Sequence, residues 1–140
     1  MKHEDAIAAL MKTQVMAGEK VVARDALNPN FGGDWKNELG SKMRLAVAGS
    51  QVTGQYTSSV SGGGGSVQGT LIGFINGSVI CFLVNWDTAE SITAWAGHLV
   101  KEGGADVIET LWYLPMKTKN PNDPNELWSS MFAGADRFVR

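Results

Sequence analysis

The groups in this chain that could do chemistry are one carboxylate, one amide, several hydroxyls and an excess of tryptophan. Five tryptophans are more than a core of this size needs for volume, and each indole N–H wants a partner once buried. Asn37 follows Trp35 by two residues, Ser91 and Thr93 lead to Trp95 in steps of two, and Thr110 precedes Trp112 at the same step. Residues two apart in a strand share a face, so each of these tryptophans has a polar companion beside it. A surface that is aromatic at heart, with a few convergent polar groups, has the composition of a preformed small-molecule pocket. Catalysis has little support. His3 and His98 share no motif with a nucleophile or a carboxylate, and a lone Asp136 among hydroxyls lacks the partners of an acid–base site.

These residues must be positioned by strands. Short alternating segments occur at 35–37, 42–48, 51–58, 66–75, 78–86, 91–100, 106–114 and 137–140, the first two read as one strand running on through Ser41. Between them lie Ala48-Gly49-Ser50, the run Gly62–Gly65, Asn76-Gly77, Asp87-Thr88 and Glu102-Gly103-Gly104. Asn76-Gly77 is the strongest hairpin signal, predicting a type I′ turn with positive φ at both residues. Sequential strands then pair antiparallel, and a meander of about eight closes most simply into an up-and-down barrel, an all-β fold. By parity, Trp35, Asn37, Ser41, Met43 and Leu45 face inward, as do Tyr56, Ser58 and Val60, then Ile80, Phe82, Val84 and Trp86, then Ser91, Thr93 and Trp95, then Ile108, Thr110, Trp112 and Leu114, and Asp136 with Phe138. Cys81, Leu83, Leu111 and Tyr113 then face outward, and apolar residues on a barrel exterior point to a buried oligomer face. Residues 1–32 form a separate, partly helical extension, with a helix broken near Gly18 and a second stretch from Val21 to Leu27. Residues 33–140 form the barrel. Asp123, Pro124 and Glu126 signal a single helical turn with an N-cap, a first-position proline and a capping-box glutamate, carrying Trp128.

Bulk properties narrow the partners. A net charge of −2 exerts no general pull on nucleic acid or an anionic membrane. One cysteine allows neither an internal disulfide nor a cysteine-built metal site, and no metal is expected. No apolar run approaches membrane-spanning length.

Gly33-Asp34-Trp35-Lys36-Asn37-Glu38-Leu39-Gly40-Ser41 resembles the opening strand of the avidin/streptavidin family, and Val52-Thr53-Gly54-Gln55-Tyr56-Thr57-Ser58 its second. Val84-Asn85-Trp86, Ser91 to Gly97, Thr110 to Leu114, Trp128 and Gly134 to Phe138 resemble further family segments in the same order, taking in all five tryptophans. The resemblance implies an eight-stranded barrel that binds biotin. It assigns Asn37, Ser41 and Tyr56 as donors to the ureido oxygen, and Ser58 and Asp136 as acceptors of the ureido N–H groups. Thr93 would face the thioether sulfur, while Trp86, Trp95, Trp112 and Leu114 wall the rings and chain. Ser91 and the backbone near Gly62 would meet the ligand carboxylate. Trp128 would cover biotin in a neighbouring subunit of a homotetramer, with a dimer as the alternative. Secretion follows by family analogy, although the start Met1-Lys2-His3-Glu4-Asp5 is too acidic for a secretory signal, so the compartment stays open.

Two rivals stand beside this reading. A generic hydrophobic carrier barrel would have an aliphatic lining with fewer convergent donors, and an oligomer with a degenerate pocket would have lost some of these polar positions. The Gly62–Gly65 run is entropically costly to order over a ligand, which predicts a weaker hold on the ligand tail.

Overall fold

The computed structural model describes residues 1–16, 30–59 and 65–140. Alternation of apolar and polar residues produces eight antiparallel strands: β1 (Gly33–Asn37), β2 (Lys42–Ala48), β3 (Gln51–Ser58), β4 (Val67–Asn76), β5 (Val79–Trp86), β6 (Ile92–Glu102), β7 (Ala105–Pro115) and β8 (Met131–Val139). Each pairs with the next, and β1 pairs with β8, so the sheet closes into a barrel. The inner face carries the core, including Met43, Val52, Leu71, Ile80, Phe82, Val84, Ile108 and Phe138, all buried.

Three local expectations are corrected. The segment from Trp35 to Ala48 is two strands, joined by a turn at Glu38–Ser41 in which Gly40 has φ of 84°. Asn37 drives that turn, because its Oδ1 accepts the N–H groups of Leu39 (3.1 Å) and Ser41 (2.9 Å). The inward parity survives the reversal, since Trp35 pairs with Met43 and Gly33 with Leu45. The β4–β5 hairpin turns one residue later than expected, with Asn76 paired to Val79 and only Gly77 at positive φ (58°). This register sets Phe82 opposite Gly73 and Trp86 opposite Gly69, large against small. The last strand starts at Met131, well before Arg137, because Met131 to Ala135 shows no polar alternation to announce it.

The helices follow their signals in part. α1 (His3–Met16) has exposed side chains from His3 to Thr13, Ile7, Leu10 and Met11 included. Gly18 and the stretch Val21 to Leu27 lie outside the described residues. α2 (Pro124–Ser129) starts with Pro124 after Asp123, whose side chain accepts the Asn125 N–H at 2.9 Å. Glu126 closes no capping box. Its carboxylate accepts from the Asn120 N–H (2.7 Å) and the Thr118 hydroxyl (3.3 Å), tying down the preceding loop.

One end of the barrel is plugged. Phe31 is buried beneath Trp35, whose Nε1 donates to the Phe31 carbonyl at 2.7 Å. The Arg140 guanidinium lies 4.1 Å over the Trp35 ring, donates to the Gly32 carbonyl at 2.8 Å and also to that of Asn30. Among the described residues, no helix is long and apolar enough to cross a membrane.

Close strand approach makes Gly73 sensitive: a Cβ there would lie 2.1 Å from the Cys81 carbonyl oxygen. Gly73→Ala should destabilise the barrel by roughly 1–3 kcal/mol, the usual cost of overpacking. A thermal melt that matches the unsubstituted chain would contradict this packing.

Candidate functional site

The open end of the barrel holds a cavity of about 160 Å³. β1 and the turn after it supply Asn37 and Ser41, and β3 supplies Tyr56 and Ser58. Trp86 comes from β5, Thr93 and Trp95 from β6, Trp112 and Leu114 from β7, and Asp136 from β8. Ten of the residues singled out in the sequence therefore line one space. Leu39 joins them unannounced, although it shares the odd parity of Asn37 and Ser41.

Aromatic planes build the wall. Phe82, Trp95 and Tyr56 stack in sequence with centroid spacings of 5.1 Å, and Trp86 meets Tyr56 edge-on at 5.6 Å. Trp112 packs over Gly134, where a Cβ would approach the indole to 2.5 Å.

Asn37, Ser41, Tyr56 and Thr93 are buried in this wall and Ser58 and Asp136 half-buried, so their polar groups must be partnered. The Asn37 Oδ1 is occupied by the two backbone N–H groups of the turn, which leaves its amide nitrogen to face Tyr56 (Nδ2 to hydroxyl, 3.4 Å) and Asp136. The Ser41 Oγ accepts the Ser59 N–H at 3.1 Å and bonds with the Tyr56 hydroxyl. Trp86 Nε1 donates to the Thr93 Oγ1 at 2.9 Å, and Trp95 Nε1 to the Asp136 Oδ2 at 2.8 Å. The Thr110 hydroxyl donates to the Asp136 carbonyl at 2.9 Å, fixing the backbone behind that carboxylate.

Electrostatics follow from the enclosure. Burial, with the nearby Asp136 charge, pushes the Tyr56 phenol well above its usual value, so it is a neutral donor at any ordinary pH. Burial also raises the Asp136 carboxyl, and Glu38 adds to the rise, against the bonds from Trp95 and Asn37 that favour the carboxylate.

Two residues fall elsewhere. The Ser91 hydroxyl donates to the Pro115 carbonyl at 2.8 Å and lines an outer groove with Glu90, Ile92 and Lys117, not the cavity. Trp128 on α2 is 71% exposed and outside the cavity lining of its own chain. Gly62 lies outside the described residues.

A model of the avidin family matches residues 26–140. The chain belongs to the avidin family. Solved structures of the same fold include xenavidin (29% identity, TM-score 0.69, covering 79% of this chain and 96% of that one). The rhizavidin–biotin complex follows at 28% identity and TM-score 0.66, covering 79% and 95%. The short afifavidin–biotin complex has 28% identity and TM-score 0.66, covering 83% and 94%. A search of curated protein sequences returns no match. This member of the avidin family thus lines its cavity with the buried polar side chains of Asn37, Ser41 and Tyr56 and with the carboxylate of Asp136, which bonds to the Asn37 amide.

Because the folded chain holds Asp136 above its ordinary value of 3.8, it retains that proton longer than the unfolded chain does. Stability therefore falls as pH rises through the window from 3.8 up to the raised value, and Asp136→Asn should flatten that part of the melting-temperature profile. Identical slopes in the two proteins would contradict the assignment. Gly134→Ala should displace the Trp112 indole, shifting tryptophan emission and weakening ligand binding while the barrel still folds; unchanged emission and affinity would count against that packing.

Proposed function

We propose that this chain binds biotin noncovalently, ureido ring first, and does not turn it over. The observation that carries the reading is the convergence of Asn37, Ser41 and Tyr56 with a single carboxylate, Asp136, in one aromatic cavity. A urea oxygen is a strong acceptor and suits three donors. The Asn37 amide nitrogen is directed inward because its oxygen is held by the turn, and Tyr56 stays protonated. Ser58 and Asp136 would accept the two ureido N–H groups, the carboxylate making the stronger, charge-assisted bond. Thr93 accepts from Trp86, which leaves its own O–H to face the thioether sulfur. Trp86, Trp95 and Trp112 would enclose the rings, each Å² of apolar surface removed from water contributing on the order of 25 cal/mol.

The cavity, at 160 Å³, is smaller than the roughly 300–1,000 Å³ of pockets that enclose a whole drug-sized ligand. It suits the ring head, with the tail leaving past Leu39 and Leu114. To meet the tail carboxylate, Ser91 would have to release the Pro115 carbonyl that it holds in the free chain. The solved biotin complexes of rhizavidin and short afifavidin support the same ligand here.

Copies of the chain would assemble, as a tetramer or alternatively a dimer, through the outer face of β4–β8. Strand register aligns Ile72, Leu83, Ala94, Tyr113 and Ala133 in one row, and Phe74, Cys81, Ala96, Leu111 and Ala135 in the next. Phe74, Leu111 and Tyr113 are each at least 60% exposed in the single chain, a continuous apolar patch of the kind that marks an association surface. Trp128, free of its own cavity, would then cover the ligand of a neighbour.

Biotin titration followed by tryptophan fluorescence and calorimetry should saturate at one ligand per chain. Asp136→Ala should bind on the order of tenfold to a hundredfold more weakly, the scale of a hydrogen bond to a charged group. Affinity should also fall in acid, starting above the ordinary carboxylate range, because the protonated Asp136 no longer accepts. Equal affinity in the variant would remove the polar network from the account. Leu111→Glu should sediment as a smaller species than the unsubstituted chain, and a monomeric parent would contradict the assembly.

A further inference from the structure

Glu38 does not line the cavity, yet it is tied to the strand that carries Asp136. Its Oε2 accepts the backbone N–H of Arg137 at 3.0 Å. That bond falls where the barrel is least zipped. β1 and β8 pair at Lys36 with Val139 and Asn37 with Phe138, whereas the β7–β8 ladder runs on to Pro115 and Met131. Past Asn37 the main chain turns away, with the Asn37 N–H bonded to the Ser41 carbonyl and the Gly40 N–H to that of Asn37. The Glu38 carboxylate stands in for the strand carbonyl that β8 would otherwise meet.

We infer that Glu38 is a positioning residue for Asp136: by holding the N–H of the next residue, it sets where β8 presents the Asp136 carboxylate to Asn37 and to the ligand. The identity of that ligand rests on the biotin reading; the seam geometry does not. A second effect travels with the first. Glu38 is a negative charge close enough to disfavour ionisation of both Asp136 and Tyr56. The other charged groups on the packed elements are Asp34 and Lys36 on β1, Asp106 and Glu109 on β7 and Arg137 on β8; Asp34 is paired with Arg44, Asp106 with Lys101 and Arg140, and the Arg137 guanidinium is engaged by Glu109 and Glu102. Glu38 thus both places the acceptor and raises the pH at which it is lost.

Two substitutions separate these roles. Glu38→Gln keeps an oxygen for the Arg137 N–H and removes the charge; Glu38→Ala removes both. The carboxyl titration of Asp136 and the hydrogen exchange of the Arg137 amide are read by NMR in the ligand-free chain, and biotin affinity is measured across pH. Glu38→Gln should move the Asp136 midpoint and the acid loss of affinity to lower pH while the Arg137 amide stays protected. Glu38→Ala should speed that exchange on the order of tenfold and weaken biotin by about tenfold, with far less effect in an Asp136→Asn background. Unchanged Arg137 exchange in Glu38→Ala, or an equal loss of affinity in both backgrounds, overturns the inference. Failure of the unsubstituted chain to bind biotin would overturn the ligand reading alone, and the exchange and titration results in the free chain would still decide the role of Glu38.

Discussion

A polar side chain inside an apolar barrel must be hydrogen-bonded, or its burial costs more than the packing around it gains. In this chain that requirement shapes the open end. Asn37 gives its oxygen to the turn that reverses β1 into β2, and the reversal is what brings Ser41 to the cavity. Ser41 and Tyr56 bond to each other, Trp86 satisfies itself on Thr93, and Trp95 on Asp136. Each of these bonds partners a polar group that lines the cavity. The network that makes the fold tolerable is therefore built from the same side chains that line the cavity.

Closure is the second constraint. A barrel has no exposed edge only if its first and last strands meet, and here that seam is the shortest of the eight junctions. It is reinforced by side chains at both ends. Arg140 grips the backbone of Asn30 and Gly32 and stacks on Trp35 at the plugged end, while Glu38 takes the Arg137 N–H at the open end. The cavity straddles this seam, with Asn37 on one bank and Asp136 on the other. A ligand that bonds to both banks would tighten the junction that the backbone leaves weakest.

Parity made much of the fold and site legible in the sequence, because a period of two is all that a strand needs to sort its residues between core and solvent. Trp35, Asn37, Ser41 and Met43 faced inward on that count even though the chain turns between them, since the turn preserves the parity. Turns were less legible. Nothing in the local sequence says that the Asn37 side chain closes a reversal, or that large-against-small packing on Gly69 and Gly73 moves the β4–β5 turn by one residue. The start of β8 carries no alternation, and Glu126 reads as a cap but serves the loop before it. Ser91 shares the inward parity of Thr93, yet it stands at the strand end, where its hydroxyl finds the Pro115 carbonyl instead. Glu38 was invisible because its role is long-range: its partner lies 99 residues away.

The most direct test is a crystal structure of the chain grown with biotin. The ureido oxygen should lie within hydrogen-bond distance of Asn37, Ser41 and Tyr56, with an N–H on Asp136 and the rings against Trp86, Trp95 and Trp112. Biotin bound in the outer groove beside Ser91 and Met116, or a cavity that stays empty at saturating ligand, would contradict it.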